Sequence, residues 1–151
     1  IGFMDSLIND LTIFSRRQRK HGIQPCARLD GTSDTGMGAK IATQFPEIQF
    51  YDYTKVIKRA YQDRPSNYHI TLSYSEANPD YAEQVLQAVR DTGVNAAVVF
   101  RDKLPETFKG LPVVDGDKDD LRFLDPKGVI VGLIAKGKKA KADTSGFVID
   151  C

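Results

Sequence analysis

The stretch A-A-V-V-F-R at residues 96–101 decides the fold. Its five apolar residues follow one another without a polar interruption, and a charged residue comes directly after them. Such a run is typical of a strand that is covered on both faces, as in a parallel sheet packed between helices. The run V-I-V-G-L-I-A at residues 129–135 has the same character. The chain is therefore predicted to be an α/β protein with a mainly parallel sheet.

Further strand-like segments surround this stretch. They are predicted at residues 26–29, 48–55, 67–74 and 111–115. Helical patterns separate most of them, which indicates repeated βα units with parallel strands. We expect about six strands, each except the last followed by a helix or a helical turn, in a partial TIM-barrel-like arrangement. An open doubly wound sheet is the alternative.

Two helices have clear sequence signals. Asn78 is a suitable N-cap for a helix that has Pro79 at its first position, and Gly93 ends that helix. Ahead of the first strand, apolar residues at positions 3, 7, 8, 11 and 14 recur at helical spacing and predict one buried stripe. The segment D-K-D-D-L-R-F-L at residues 117–124 has room for only about two helical turns.

The composition is that of an ordinary globular domain. The chain has 151 residues, a net charge of +1 and 41% hydrophobic residues, and no apolar run approaches the roughly 20 residues of a spanning helix. Sparse cysteines without a secretory signal fit a reducing compartment. We expect one cytoplasmic domain over residues 1–151 with no membrane association. Because the chain opens directly on an amphipathic pattern, we also expect a fragment that lacks an N-terminal segment.

Polar side chains follow every predicted strand. Ligands of parallel α/β folds bind beyond the carboxyl ends of the strands, so these residues form a candidate rim for a small polar or anionic ligand. The candidate ligand-binding residues are Asp30, Thr32, Ser33, Asp52, Lys55, Ser73, Glu76, Arg101, Asp115 and Lys136. Asp30, Asp52 and Arg101 each directly follow an apolar strand residue, and we expect them in one concavity with Lys55 near its edge. Helix caps and internal ion pairs are the alternative to a functional rim. A functional rim would be open to water, whereas a structural pair would be buried.

No metal site, cofactor or catalytic residue is assigned from the sequence. The glycine loop at residues 31–38 lacks both the dinucleotide fingerprint and the lysine of a phosphate loop. The segment D-G-D-K-D-D at residues 115–120 lacks the glycine and the final acid of a calcium loop. Helix capping is a better interpretation of Asp115 and Asp117 than magnesium binding.

The basic segment K-G-K-K-A-K at residues 136–141 is the basis of a second hypothesis. With Arg122, it would bind nucleic acid or a host protein in a non-enzymatic accessory module. A solvated loop is favoured over nucleic-acid binding, because only about four lysines lie close together and the net charge is near zero. Self-association that covers an exposed strand edge is a further expectation.

Several segments together resemble a family of phage- and plasmid-associated bacterial proteins of unassigned function. They are R-L-D-G-T-S-D, Q-F-Y-D-Y-T-K, N-Y-H-I-T-L-S-Y-S-E, P-V-V-D-G-D-K-D-D-L-R-F-L-D-P and D-T-S-G-F-V. The resemblance implies a longer protein with an upstream segment of closely spaced cysteines and a radical-SAM-like partial barrel. On that basis, the chain is the ligand-binding C-terminal part of a phage-related α/β-barrel enzyme. The present sequence has no such cysteine segment, so the cofactor stays unknown.

Overall fold

The computed structural model describes residues 2–151 of the chain. Its α-helices are α1 (Phe3–Lys20), α2 (Met37–Ile41), α3 (Pro79–Thr92) and α4 (Gly137–Lys141). Its strands are β1 (Cys26–Ala27), β2 (Gln49–Thr54), β3 (Tyr68–Ser73), β4 (Asn95–Phe100), β5 (Thr107–Phe108), β6 (Leu111–Asp115), β7 (Ile130–Ile134) and β8 (Val148–Ile149). Short 3-10 helices cover Ala42–Gln44, Ile57–Tyr61 and Arg122–Leu124.

The strands form one mostly parallel sheet in the order β1-β2-β3-β4-β7-β6-β5, and β8 also pairs with β4. The pairings β1·β2, β3·β4, β4·β7, β4·β8 and β6·β7 are parallel, whereas β5·β6 is an antiparallel hairpin. The predicted class, α/β with a mainly parallel sheet, is confirmed. The sheet is not closed, and the TIM-barrel-like arrangement is not confirmed.

One edge of β4 is shared by two strands. β3 pairs with its first half, where Ser73 lies opposite Ala97, and β8 pairs with its second half, where Val148 lies opposite Val99. β7 pairs with β4 from Ala96 to Phe100. The predicted number of six strands was too low because β5 and β8, of two residues each, are too short to show a periodic pattern.

The described chain consists of two compact units. Unit 1 contains residues 2–52 and Arg64–His69, and unit 2 contains Tyr53–Asp63 and Ile70–Cys151. In unit 1, the amide of Asn67 donates hydrogen bonds to the carbonyl groups of Ala42, Phe45 and Ile48 at 2.9 to 3.0 Å. These bonds hold the turn before β2, and Ile48 at the end of this turn and Phe50 within β2 are fully buried.

The predicted buried stripe of α1 is only partly buried. Leu11 is 6% exposed, but Phe3 is 72% exposed. The first turns of the helix therefore carry apolar side chains on the surface of unit 1, because spacing predicts which residues share a face but not whether a neighbouring element covers that face. Among residues 2–151, no helix combines the length and the apolar character that crossing a membrane requires.

In unit 2, α3 matches its sequence signals. The side chain of Asn78 accepts hydrogen bonds from the backbone of Asp80 and Tyr81, Pro79 begins the helix, and Gly93 ends it in the left-handed conformation. Two neighbouring predictions were wrong. The two helical turns expected at residues 117–124 are a single 3-10 turn. The basic segment predicted to be a loop after the last strand contains α4, and β8 follows it.

Candidate functional site

The predicted rim residues fall into separate clusters within the two units. Asp30, Ser33 and Asp52 are brought together in unit 1. In unit 2, Ser73 is the last residue of β3 and Glu76 lies three residues after it. Other clusters in unit 2 contain Arg101 with Asp150, and Asp115 and Lys136 with Asp117. Thr32 and Lys55 are exposed.

The carboxylate of Asp30 organises the loop that follows β1. It accepts hydrogen bonds from the hydroxyl groups of Ser33 (2.9 Å) and Thr35 (2.7 Å) and from the backbone N–H of Gly36 (2.6 Å). Burial alone would raise the pKa of Asp30, but these hydrogen bonds together lower it below its usual value. Asp30 therefore holds the glycine loop in place as a charged, buried acceptor.

The carboxyl group of Asp52 is buried beside this loop. Its Oδ1 accepts a hydrogen bond from the backbone N–H of Asp30 at 2.9 Å. Asp52 as a whole is only 2% exposed to solvent. Burial raises the pKa of Asp52 to about 6, against the hydrogen bond from Asp30. Repulsion from the Asp30 carboxylate adds to the rise, while the Tyr68 hydroxyl and Arg28 oppose it.

Two glycines make this packing possible. Gly36, whose N–H donates to Asp30, has φ of 71°, in the left-handed region that favours glycine. At Gly38, a Cβ atom would lie 2.5 Å from the Tyr68 ring and 2.9 Å from Oδ2 of Asp52. The glycines of this loop therefore serve close packing against two acids, and Asp30 and Asp52 form a buried cluster.

A concave site lies in unit 2, beyond the carboxyl end of β3. It is a pocket of about 290 Å³ lined by Tyr74, Glu76, Glu83 and Lys109, with an apolar wall formed by Pro79, Ala82 and Leu86. The Tyr74 hydroxyl donates to Oε1 of Glu76 at 2.9 Å. The ammonium of Lys109 lies 3.6 Å from the same carboxylate. A hydroxyl, two carboxylates and one ammonium therefore converge on an apolar wall.

Aromatic rings pack together beside this pocket, and one of them, Tyr74, lines it. The rings of Tyr74 and Phe108 meet edge to face at a centroid distance of 5.4 Å, and Phe108 meets Phe100 in the same way at 5.4 Å. Burial raises the pKa of Tyr74, and its hydrogen bond to Glu76 adds to the rise. The Tyr74 hydroxyl therefore stays protonated and keeps donating to Glu76 at physiological pH.

Lys109 is positioned by a hairpin turn. It has φ of 50°, followed by Gly110 with φ of 80°, so the two residues between β5 and β6 both adopt the left-handed conformation typical of a tight hairpin. The guanidinium of Arg90 donates to the carbonyl of Lys109 at 3.1 Å and also lies 3.4 Å from Glu83. The ammonium of Lys109 stands 5.6 Å from the centroid of Phe108. These contacts keep the lysine at the pocket.

The N-terminus of α3 borders the pocket but offers few free donors. The N–H groups of Asp80 and Tyr81 are taken by the side chain of Asn78, and that of Ala82 by its carbonyl. The helix end therefore does not supply the usual anion site. The lining itself carries two carboxylates and one ammonium, and the guanidinium that pairs with Glu83, that of Arg90, stands outside the lining.

Two further rim residues of unit 2, Arg101 and Lys136, are engaged in ion pairs, whereas Asp115 accepts a hydrogen bond from the backbone of Asp117. Arg101 donates to Asp150 at 2.5 Å and to the carbonyl groups of Lys141 and Asp143. Asp117 accepts from the backbone of Ile134 and pairs with Lys136 at 2.8 Å. These contacts tie the segments after β4, β6 and β7 together. Within residues 2–151, no group of three or more His, Cys, Asp or Glu residues is arranged to hold a metal ion.

The family model described as Gene product 88 matches residues 2–151. The chain belongs to this phage-associated family. No curated protein and no solved structure shows significant similarity to the chain. The match covers nearly the whole chain and spans residues of both units.

Sequence reasoning missed four residues that matter to the clusters of this Gene product 88 member. They are Tyr74, Glu83, Lys109 and Asp150. The pair Lys109-Gly110 between two short apolar segments is a hairpin signal that would have placed the lysine at a turn. Glu83 lies one turn into α3, on the face that the pattern of buried residues leaves open. Nothing in the sequence near Asp150 indicates its pairing with Arg101.

Proposed function

We propose that this Gene product 88 domain binds a small ligand in the unit 2 pocket beyond the carboxyl end of β3. The observation that carries the proposal is the convergence of Tyr74, Glu76 and Lys109 on an apolar wall at the ligand-binding end of a parallel sheet. Glu76 belongs to the rim predicted from the sequence. In a longer phage-related enzyme, this pocket would be part of the substrate or effector site.

The charges of the lining favour a ligand with a cationic or hydrogen-bond-donating head and an apolar body. Glu76 and Glu83 outnumber Lys109, and the donors at the start of α3 are already used. The apolar body would pack against Ala82 and Leu86, which are buried side chains of α3. A volume of about 290 Å³ suits a ligand of fragment size.

Binding, not a reaction, is what these contacts support. Tyr74 is held protonated by burial, and its proton is directed at Glu76. Glu76 is in turn paired with Lys109. Groups that satisfy one another in this way recognise charge and shape without taking up or releasing a proton.

A pair of probes with matched bodies and opposite charges tests the proposal. Phenethylamine and phenylacetate are titrated into ¹⁵N-labelled protein while the amide signals of Ala82, Glu83 and Leu86 are followed. For about nine heavy atoms, we expect a dissociation constant for the amine of about 1 to 10 mM. The acid should bind more weakly. Equal binding of both probes, or shifts that avoid these residues, would refute the proposal.

The matched variants are Glu76→Gln at the pocket and Asp63→Asn at an exposed position of unit 2. Each removes one negative charge. Loss of one charge-assisted hydrogen bond should weaken amine binding by about 1 to 2 kcal/mol, or about 5- to 30-fold, in Glu76→Gln. Asp63→Asn should bind as the parent does. The same weakening in both variants would point to a general charge effect and against the pocket.

A further inference from the structure

A strongly basic surface lies in unit 1, at the C-terminal end of α1. The sequence R-R-Q-R-K at residues 16–20 places Arg16, Arg17, Arg19 and Lys20 within five residues, and all four side chains are exposed. Across residues 2–151, none of these four cations forms an ion pair within 4 Å. Their charges are therefore directed to solvent.

Three of these cations share one side of the helix. At 3.6 residues per turn, Arg16, Arg19 and Lys20 fall beside Thr12, and the buried residues Leu11 and Ser15 lie along the border of this side, next to Arg19. From Arg16 to Lys20 the three cations span about 6 Å along the helix axis. One nucleic-acid strand carries a charge about every 3.4 Å along its axis, so this spacing matches about two to three successive phosphates.

Two clefts flank this side of α1. One, of about 410 Å³, is lined by Arg16, Arg19 and Lys20 together with Phe45 and Glu47. The other, of about 400 Å³, lies between Arg19, Gln24 and Glu47. Glu47 is the one acid that lines either cleft. It accepts a hydrogen bond from Ser15 at 2.8 Å, so its charge stays near the base of the clefts.

We propose that this face of α1 binds the phosphate backbone of a nucleic acid. Glu47 would repel a small anion that settled into either cleft, whereas a polymer that passes over the outer cations avoids it. Three of the four cations are arginines, whose guanidinium groups can donate two parallel hydrogen bonds to one phosphate. The negative end of the helix dipole accounts for cations in the last turn, but it does not require three of them along one side of a cleft.

The surface differs from the basic segment of α4, where the sequence alone placed a nucleic-acid hypothesis. α4 has five residues, and Lys136 at its start is paired with Asp117. Lys138, Lys139 and Lys141 carry the same number of charges as Arg16, Arg19 and Lys20, but they are all lysines in unit 2. They therefore supply a control with an equal change in net charge.

The test is fluorescence anisotropy of labelled oligonucleotides at about 50 mM salt, a single strand and a duplex of about 20 residues each. Binding to either should weaken at least about tenfold in the variant Arg16→Gln/Arg19→Gln/Lys20→Gln, and the salt dependence should fall by about three ion equivalents. The variant Lys138→Gln/Lys139→Gln/Lys141→Gln should bind within about twofold of the parent. Glutamine supports helices almost as well as arginine, and circular dichroism verifies that α1 is kept.

Three outcomes would overturn the proposal. The first is no salt-sensitive binding of either oligonucleotide by the parent chain. The second is an equal loss in the α1 and α4 variants, which would reflect net charge alone. The third is competition by poly-L-glutamate that is as strong, per charge, as competition by unlabelled oligonucleotide, because this result would assign the surface to acidic proteins. Preference between single strand and duplex then identifies the form of nucleic acid.

Discussion

The backbone N–H of Asp30 donates a hydrogen bond of 2.9 Å to Oδ1 of Asp52. A carboxyl group from the loop after β1 and one from within β2 thereby share one buried region, although their pKa values shift in opposite directions. The pKa of Asp30 is lowered because its carboxylate is surrounded by donors. Burial raises the pKa of Asp52 to about 6. Asp52 is consequently the residue whose protonation links this region to pH.

Deprotonation of Asp52 should lower the free energy of unfolding as the pH rises from 4 to about 6. Its pKa is 3.8 in the unfolded chain and about 6 in the native state, so the native state binds the proton more tightly. The stabilisation from this proton is fully present below pH 3.8 and is lost as the pH rises through about 6. We expect the stability of the parent, relative to Asp52→Asn, to fall by about 1 to 3 kcal/mol across this range.

Urea unfolding of the parent and of Asp52→Asn at a series of pH values measures this difference. The comparison cancels the other carboxyl groups, including Asp30, whose lowered pKa acts in the opposite direction. Asp63→Asn, at an exposed position, should follow the parent at every pH. A constant difference between the parent and Asp52→Asn from pH 4 to 7 would contradict the prediction.

Removal of the Asp30 carboxylate should disorganise the glycine loop. In Asp30→Ala, the hydroxyl groups of Ser33 and Thr35 and the N–H of Gly36 lose their acceptor. We expect a loss of about 2 to 4 kcal/mol in unfolding free energy, since three hydrogen bonds to a charged group disappear. Hydrogen exchange at Gly36 should accelerate in the same variant. Thr32→Ala, an exposed neighbour, should leave both measurements unchanged.

The close contact of Gly38 with Tyr68 and Asp52 predicts a matched pair of glycine substitutions. In Gly38→Ala, the new methyl group would lie 2.5 Å from the buried Tyr68 ring, so the ring or the loop must move. We expect a destabilisation of about 2 kcal/mol or more in thermal or urea unfolding. In Gly31→Ala, the methyl group meets nothing within 4 Å. That variant should be as stable as the parent, and equal effects at both sites would refute the packing explanation.

Part of this fold could be predicted because its signals are local. The continuous apolar run of β4 lies within one segment of the chain, and so do the residues that begin and end α3, Asn78 and Gly93. The meeting of Asp30 with Asp52 also follows from the parallel pairing of β1 with β2. Burial of those two acids could not be predicted, since it depends on the packing of Gly38 against a distant ring.

The pocket was harder to predict because it depends on tertiary contacts. Lys109 reaches Glu76 because it lies at the turn of the β5–β6 hairpin. β5 has only two residues, which are too few to show a strand pattern in the sequence. Arg101 follows its strand as expected, but its guanidinium is engaged by Asp150, almost fifty positions later in the chain. Sequence position therefore identifies strand-end residues, and tertiary contacts determine which of them meet.

The stability of unit 2 should depend on the ion pair between its most buried cation, Arg122, and Asp125. Arg122 is 1% exposed, and its Nε lies 3.3 Å from Oδ2 of Asp125. Burial raises the pKa of Asp125, against the attraction of Arg122. In Arg122→Ala, the acid would stay in place without its counter-charge beside a new cavity. We expect a loss of about 3 to 5 kcal/mol at pH 7.

The loss in Arg122→Ala should shrink as the pH falls, because protonation of Asp125 removes the uncompensated charge. The stabilisation from that proton is present below the unfolded pKa of 3.8 and is lost as the pH rises through the higher native pKa.

The double variant Arg122→Met/Asp125→Asn should recover most of the stability at pH 7, since an apolar side chain fills the cavity and no charge is left buried. Lys136→Ala, which breaks an exposed pair with Asp117, should change little. Urea unfolding of the four proteins at pH 4.5 and pH 7 decides the matter: an Arg122→Ala loss that does not depend on pH would assign the effect to the cavity alone.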